Sequence, residues 1–168
     1  INKGVFCHDI RLSRAGFNIF SDLVSLLLVF RLLRSLSPSI FLGYTAKPVI
    51  FGILASWLSL VPKRVALITG LGYAFTQCPD SSRNLFKNFL KLLYSVSLRR
   101  ATHLIFQNPD DRNLFINLGI VKSNKSFIVN GSGVDMELFS KTLLPSDPVF
   151  LCMSRLIKSK GLIEFAKA

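Results

Sequence analysis

Apolar residues along this chain occur in short runs, and each run ends in small or polar residues. Such runs predict strands over residues 5–12, 40–44 and 65–68, and two further strands over 102–107 and 126–129. Segments with helical periodicity separate most of these strands. Strands that alternate with helices in this way favour an α/β fold built on a doubly wound parallel sheet.

Apolar residues at helical spacing predict helices over residues 22–35, 49–60 and 82–98. The predicted apolar side of the first helix consists of Leu23, Leu26, Leu27, Phe30 and Leu33, and that of the third consists of Leu85, Phe86, Phe89, Leu92, Leu93 and Val96. Asp22 lies near the start of the first helix, where the helix dipole favours an acid. Asn108 and Pro109 are typical of an N-cap and first helical position, and predict a short helix that ends near Leu118.

The pattern changes after residue 135. Residues 140–148 are polar and contain two prolines, which favours a linker, and a new strand is predicted over 149–153 with a helix from about Leu162. We therefore expect a first domain over residues 1–135, a linker over 136–147 and the start of a second domain over 148–168. Because the chain begins without methionine and ends within a predicted helix, we expect it to be an internal fragment.

The glycine turn after the third predicted strand is the first candidate site. Thr69, Gly70 and Gly72 follow residues 65–68, and glycines at a strand end let backbone amides approach a ligand. A tight turn without a ligand is the alternative. Tyr44 and Lys47 occupy the same kind of position after the preceding strand, so they are candidates for ligand contact. A packing tyrosine and a solvated lysine are the alternative, which the residue types favour.

Charge indicates an anionic partner. The chain has 21 Lys and Arg against 9 Asp and Glu, a formal charge of +12, which fits nucleic acid, an acidic membrane surface or a phosphorylated substrate. Arg83, Lys87 and Lys91 recur at every fourth residue and form a cationic stripe on the predicted helix. This stripe is either an ordinary solvated face or a contact for anionic lipid headgroups.

Two classes of protein fit the composition poorly. The uncharged stretches over residues 48–62 and 65–79 are shorter than the roughly 20 apolar residues of a membrane-spanning helix, so none is predicted. Cys7, Cys78 and Cys152 lack metal-ligand spacing and fit a reducing cytosolic compartment better than a disulfide scaffold.

Four motifs, in order, resemble those of the family 4 glycosyltransferases of bacterial polysaccharide assembly. They are residues 69–76 (TGLGYAFT), 106–112 (FQNPDDR), 130–135 (NGSGVD) and 154–161 (SRLIKSKG), with a Lys-Pro pair at 47–48. The resemblance extends over nearly the whole chain from about Asp9. It implies a GT-B fold, in which two Rossmann-like domains face a cleft. This chain would then hold most of the N-terminal, acceptor-side domain and the start of the donor-binding domain.

The resemblance also implies a function. Family members transfer a sugar, with retention of configuration, from a nucleotide diphosphate donor, and we expect a UDP-linked donor and no metal cofactor. Arg155 and Lys160 match the residues that hold the donor's diphosphate, next to Gly161, while Gly70 and Gly72 match the cleft loop. Many relatives carry a histidine where this chain has Thr69, so a histidine role is not carried over, and Thr69 and Gly70 are the candidates for contact with the reacting sugar.

The acceptor in similar enzymes is a saccharide on undecaprenyl diphosphate. We therefore expect a cytoplasmic protein bound peripherally to the inner face of the bacterial membrane, through Arg83, Lys87 and Lys91, and no nucleic-acid partner. Because the implied cleft lies between two domains, residues 1–168 alone are expected not to transfer sugar. Donor sugar, acceptor sugar and linkage do not follow from these motifs.

Two other classes stay open. A nucleotide-dependent oxidoreductase shares the alternating pattern, but Gly70 and Gly72 lack the third glycine of the dinucleotide motif and an acidic residue ~20 positions later. A non-catalytic membrane or nucleic-acid binder explains the charge. It does not explain why glycines and polar residues gather at successive strand ends.

Overall fold

Four parallel strands form the centre of the fold. A computed structural model describes residues 4–10, 19–70, 82–154, 156 and 160–168, and for Ile19 and residues 82–87 it describes the backbone alone. The strands, in the order in which they pair, are β1 (Ile40–Tyr44), β2 (Lys63–Ile68), β3 (His103–Phe106) and β4 (Ser126–Ile128). Every neighbouring pair is parallel. With its flanking helices, this sheet confirms the predicted α/β, Rossmann-like fold.

Helices lie before, between and after the strands. They are α1 (Ile19–Leu36), a π-helical turn (Pro48–Gly52) that continues into α2 (Ile53–Leu58), α3 (Ser82–Arg100), α4 (Pro109–Asn117), a 3₁₀ turn (Ser123–Lys125) and α5 (Leu162–Lys167). The chain divides into two compact units, Ile1–Ser132 and Gly133–Ala168. The sheet and α1 to α4 belong to the first unit, and α5 belongs to the second.

One face of the sheet packs against the helices. Alternate strand residues on that face are buried, as the period of two in a strand requires: Gly43, Ala66, Ile68, Leu104 and Phe106. They meet buried residues of the π-helical turn and of α2, α3 and α4: Val49, Ile50, Ile53, Tyr94, Leu98 and Phe115. The Phe115 ring lies edge-on to Tyr94 and to Phe106, with centroids 5.9 and 5.5 Å apart. This core fixes the strand ends on which the candidate site is built.

The predicted start of α4 is confirmed. The Asn108 side chain accepts a hydrogen bond from the Asp111 backbone N–H at 2.7 Å and donates one to the Asp111 carboxylate at 2.9 Å. Pro109 occupies the first helical position. A sequence signal therefore located this helix end correctly, because the cap depends on neighbouring residues alone.

Two predicted strands are wrong. Residues 5–10 and 149–153 have no regular secondary structure, and residues 11 and 12 of the first prediction lie outside the described residues. Val5, Phe6, Phe150 and Leu151 are all exposed. A parallel strand of this kind is stabilised by a neighbour that pairs with its backbone, and among the described residues neither segment pairs with a strand of the sheet.

The predicted apolar sides of two helices are also wrong in part. In α1, Leu23 and Leu27 are exposed while Asp22, Ser25 and Leu33 are buried. In α3, the buried residues are Leu90, Tyr94, Ser97 and Leu98, whereas Phe89, Leu92 and Val96 are exposed. Each helix carries leucines on all of its sides, so hydrophobicity alone does not determine which side is buried. Polar contacts select it instead, such as the Ser97 hydroxyl, which donates to the Val49 carbonyl at 2.8 Å.

Candidate functional site

A small cavity lies at the carboxyl edge of the sheet, beyond the ends of β1 and β2. It has a volume of about 230 Å³ and is lined by Thr45, Ala46, Val49, Ile68, Thr69, Gly70 and Tyr94. Tyr44 pairs with Leu67 in the parallel register, so the residues that follow each strand lie side by side. We call this space the carboxyl-edge cavity. Its lining includes the predicted candidates Thr69 and Gly70.

Thr45 has a strained backbone in the wall of this cavity. Its φ is 70°, in the left-handed region that β-branched residues disfavour. The Thr45 carbonyl accepts a hydrogen bond from the Val49 N–H at 3.0 Å as the chain turns into the π-helical segment. The turn packs closely against β1. A Cβ on Gly43 would lie only 2.9 Å from the Pro48 carbonyl oxygen, so only glycine fits there. Strained residues of this kind cluster at ligand sites.

Sequence reasoning missed Thr45. The only signal for it was the small pair Thr45-Ala46 between a strand and Pro48. Gly70, by contrast, was found from its type. Among the described residues, which end at Gly70 and resume at residue 82, a Cβ added there would meet nothing within 4 Å.

Tyr94 was also missed, and it forms the buried wall of the cavity. The ring packs against Phe115, and burial raises the pKa of Tyr94 from 10.0 to about 12 because desolvation penalises the phenolate. The phenol is therefore neutral throughout the physiological range. The described walls of the cavity carry hydroxyl groups and backbone groups, and none of the seven described lining residues is charged at neutral pH.

Lys47 is buried rather than solvated. Its Nζ donates to Asp22 Oδ1 at 2.7 Å, and Asp22 and Lys47 are only 1% and 8% exposed. The second carboxylate oxygen, Oδ2, is buried and accepts no hydrogen bond from the residues that the structure describes. The pair joins α1 to the turn after β1. Asp22 was assigned to the helix dipole, although its spacing from Leu26, Val29 and Leu33 places it on one side of the helix with them.

The structure separates two groups of predicted residues. Lys47 borders a second cavity of about 450 Å³, lined largely by apolar residues of α1 and β1 and by residues 8–10, whereas Thr69 and Gly70 border the carboxyl-edge cavity. Tyr44 lines neither of them and is half exposed. A ligand contact by Tyr44 or Lys47 stays a prediction.

The remaining site predictions fall largely outside the described residues. Gly72 and Arg155 lie outside the described residues, and so do the side chains of Arg83 and Lys87. Lys91 is half-buried and Lys160 is exposed. Gly161, with φ 68°, immediately precedes α5. Their assignment to donor, cleft and membrane stays a prediction.

Membrane-spanning helices and metal sites can both be assessed in the described residues. No described helix is both long and apolar enough to cross a membrane. Among the same residues, no three His, Cys, Asp or Glu side chains come close enough together to hold a metal ion.

Comparison with known proteins identifies the family. Residues 2–108 match the model of a family described as glycosyl transferase 4-like. Over 167 residues, the chain is 30% identical to the N,N'-diacetylbacillosaminyl-diphospho-undecaprenol alpha-1,3-N-acetylgalactosaminyltransferase of Campylobacter jejuni, an alignment that covers 91% of this chain and 44% of that relative. The chain thus spans less than half the length of this curated relative. A family match over more than half of the chain, on a parallel α/β sheet of the expected kind, shows that this protein belongs to the glycosyl transferase 4-like family.

Proposed function

We propose that the complete protein transfers a sugar from a nucleotide diphosphate sugar to a saccharide carried on undecaprenyl diphosphate, in the synthesis of a surface polysaccharide. The observation that carries this proposal is the 30% identity, over 91% of the chain, to a relative named for transfer to a diphospho-undecaprenol-linked sugar. The family match over residues 2–108 supports the reaction class independently.

The carboxyl-edge cavity suits a sugar. Ligands in open α/β sheets bind beyond the carboxyl ends of the strands, and here Thr45, Thr69 and Gly70 meet at that edge. Threonine hydroxyls both donate and accept hydrogen bonds, which matches the hydroxyl groups of a sugar. We therefore assign Thr69 and Gly70 to the reacting part of the cleft and add Thr45 to them.

The donor's diphosphate needs cations, and the described lining of this cavity contains none. Departure of a nucleoside diphosphate leaves negative charge on its oxygens, and a fixed cation stabilises that charge most in the transition state. We place the diphosphate on Arg155 and Lys160, beside Gly161, as the family motif implies. A UDP-linked donor and transfer without a metal cofactor belong to the same proposal.

We further propose that the protein works at the inner face of the cytoplasmic membrane as a peripheral protein, because the proposed carrier is a membrane lipid. The cationic stripe of Arg83, Lys87 and Lys91 is one candidate for the contact. The formal charge of +12 supports attraction to an anionic surface.

The test is a transfer assay with the complete protein. Purified protein is incubated with each of a panel of UDP-sugars and a short saccharide on undecaprenyl diphosphate, and the lipid product is separated by chromatography. Extension of the saccharide by one sugar is expected with one donor. Residues 1–168 alone serve as the control and are expected to give no product. Nucleotide-sugar binding without any transfer to lipid-linked acceptors would contradict the proposal.

A further inference from the structure

One side of the carboxyl-edge cavity is formed by the turn that follows β1. Thr45, Ala46 and Val49 of this turn line the cavity, and the Val49 N–H donates to the Thr45 carbonyl at 3.0 Å. A π-helical segment begins within the turn, at Pro48, and such segments are rare and frequently lie at functional sites. We call residues 45–49 the cavity-wall turn. Its position decides where the Thr45 hydroxyl lies in the cavity.

Helix α1 holds this turn through Asp22. The Lys47 Nζ donates to Asp22 Oδ1 at 2.7 Å, and Asp22 is 1% exposed. Asp22 is not one of the seven described residues that line the cavity. Its Oδ2 is buried and accepts no hydrogen bond from the described residues, which offsets part of the stability that the pair provides. Because apolar residues of similar volume often stabilise a protein as well as a buried ion pair, stability alone does not explain this one.

Helix α3 holds the same turn through Ser97. The Ser97 hydroxyl donates to the Val49 carbonyl at 2.8 Å across 48 positions of the chain, and Ser97 is fully buried. Ser97 also lies outside the described lining of the cavity. Hydrogen bonds depend on direction as well as distance, whereas apolar contacts are not directional. Two directional contacts from two helices therefore fix the turn more closely than apolar packing alone.

We propose that Asp22 and Ser97 are positioning residues for sugar transfer, which hold the Thr45 hydroxyl where it meets the reacting sugar. Neither touches a substrate, and both act through the cavity-wall turn. A displacement of about 1 Å in an active site can lower a rate by ~100-fold, so a small shift of this turn lowers activity even where the fold stays stable. The inference rests on the proposed function, because it uses the assignment of Thr45 to the sugar.

The first test is the double variant Asp22→Leu with Lys47→Met in the complete protein. The apolar pair should keep nearly the wild-type midpoint of urea denaturation. The kcat for sugar transfer should nevertheless fall by about 10- to 100-fold. The KM for the nucleotide sugar should stay nearly unchanged, because its diphosphate is assigned to Arg155 and Lys160. An unchanged kcat would overturn the role of Asp22.

Ser97→Ala tests the second contact without changing any charge. It should lower kcat by about tenfold. Ser56→Ala is the matched control, because Ser56 is equally buried but its hydroxyl donates to the Ile53 carbonyl, at 2.8 Å, and not to the turn. Ser56→Ala should leave kcat unchanged. Equal losses in the two alanine variants, or no loss in Ser97→Ala, would overturn the role of Ser97.

Thr45→Val shows whether the two residues act through the Thr45 hydroxyl. Valine keeps the branched Cβ of threonine and lacks the hydroxyl. In a Thr45→Val protein, adding Ser97→Ala or the change at Asp22 and Lys47 should lower kcat by less than about twofold, since residues that act through one group are not additive. Losses as large as those in the wild-type background would overturn positioning through Thr45.

Amide hydrogen exchange tests the cavity-wall turn without sugar transfer. The Val49 amide should exchange about tenfold faster in Ser97→Ala and in the double variant, whereas the amides of β3 should keep their wild-type rates. A wild-type protein that transfers no sugar would contradict the proposed function itself. Normal transfer by the wild type, together with unchanged exchange in both variants, would overturn only the positioning inference.

Discussion

At the carboxyl edge of the sheet Thr45 has φ 70°, and at the amino edge Leu60 has φ 61°. Both residues hold a left-handed backbone that glycine adopts more easily. Thr45 lines a cavity whose seven described lining residues are uncharged, whereas Leu60 is exposed and lies three and four positions before Lys63 and Arg64. The same kind of backbone strain therefore occurs in two different surroundings, one uncharged and one cationic.

The two edges also use lysine differently. Lys47, just after β1, is buried against Asp22 and stabilises the turn beside the carboxyl-edge cavity. Lys63, at the start of β2 and so at the amino edge of the sheet, is exposed. The charge of Lys47 is thus neutralised within the protein, while that of Lys63 faces solvent. A net charge of +12 consequently says little until each cation has been located.

The largest expected effect on stability tests this difference between lysines. Lys47→Met leaves the Asp22 carboxylate buried without its cation, which costs about 3–5 kcal/mol in the free energy of unfolding. Replacing both residues, as Asp22→Leu with Lys47→Met, should recover most of that loss. Urea denaturation measures each value.

Lys63→Met is the control at the other edge and should change the free energy of unfolding by no more than about 0.5 kcal/mol. If Lys47→Met were equally harmless, the buried ion pair would have no stabilising role, and the contrast between the edges would fail.

Variants of the proposed donor site should give the next largest effect. They sharpen the comparison because the described lining of the carboxyl-edge cavity contains no cation. In the complete protein, Arg155→Ala and Lys160→Ala should each reduce sugar transfer by ~100-fold or more, roughly 3 kcal/mol of transition-state stabilisation. Thermal stability should stay nearly unchanged, since we expect both residues on an exposed cleft loop.

Lys158→Ala provides the matched control, because Lys158 lies between the two and matches no family position. It should retain nearly full activity. If it were as impaired as the other two, a diffuse basic patch would explain the data better. Full activity of all three variants would show that the diphosphate binds elsewhere.

The sequence predicted those parts of the fold that depend on local residues or on a repeated pattern. The four strands of the sheet, the Asn108 cap and the position of Thr69 and Gly70 directly after a strand are of this kind. Residues 149–153 carry an equally apolar pattern but no strand. A strand requires a pairing partner, which its own sequence does not specify.

The site residues that were missed depend on distant contacts. Asp22 meets Lys47 across 25 positions of the chain, and Tyr94 reaches the cavity from the middle of α3. The strain at Thr45 results from the turn that Gly43 and Pro48 make possible, which is visible only in three dimensions. Leucine occurs on all sides of α1 and α3, so hydrophobicity did not reveal the buried side of either helix or the polar residues Asp22 and Ser97 on those sides.

Tyr94 gives a pH-dependent test of the cavity wall. Burial raises the pKa of Tyr94 to about 12 from 10.0 in the unfolded chain, so the folded state favours the neutral phenol. The resulting stability is complete below pH 10 and is lost as the pH rises to about 12. The loss should amount to roughly 2–3 kcal/mol.

Urea denaturation across this pH range measures the loss, and Tyr94→Phe, which cannot ionise, should lack this component. An identical fall in the free energy of unfolding at alkaline pH in both proteins would mean that the phenol is not desolvated. The wall of the carboxyl-edge cavity would then be open to water.

The smallest expected effect compares the two strained residues directly. Thr45→Gly and Leu60→Gly each relieve a left-handed backbone, worth roughly 1–2 kcal/mol, against a loss of about 0.5–1 kcal/mol from the greater freedom of glycine in the unfolded chain. Each should therefore raise the free energy of unfolding by about 0.5–1 kcal/mol. Thr45→Ala and Leu60→Ala keep the Cβ and its strain, so they should give no such gain.

Function should then separate the two edges. Thr45→Gly is expected to lower sugar transfer by the complete protein, because the hydroxyl is lost from the carboxyl-edge cavity, while Leu60→Gly, at the opposite edge of the sheet, is expected to leave transfer nearly unchanged. A marked loss of stability in Leu60→Gly would mean that the leucine packs within the fold after all. Undiminished transfer by Thr45→Gly would show that the left-handed backbone of Thr45 is needed for the turn after β1 and not for binding a ligand.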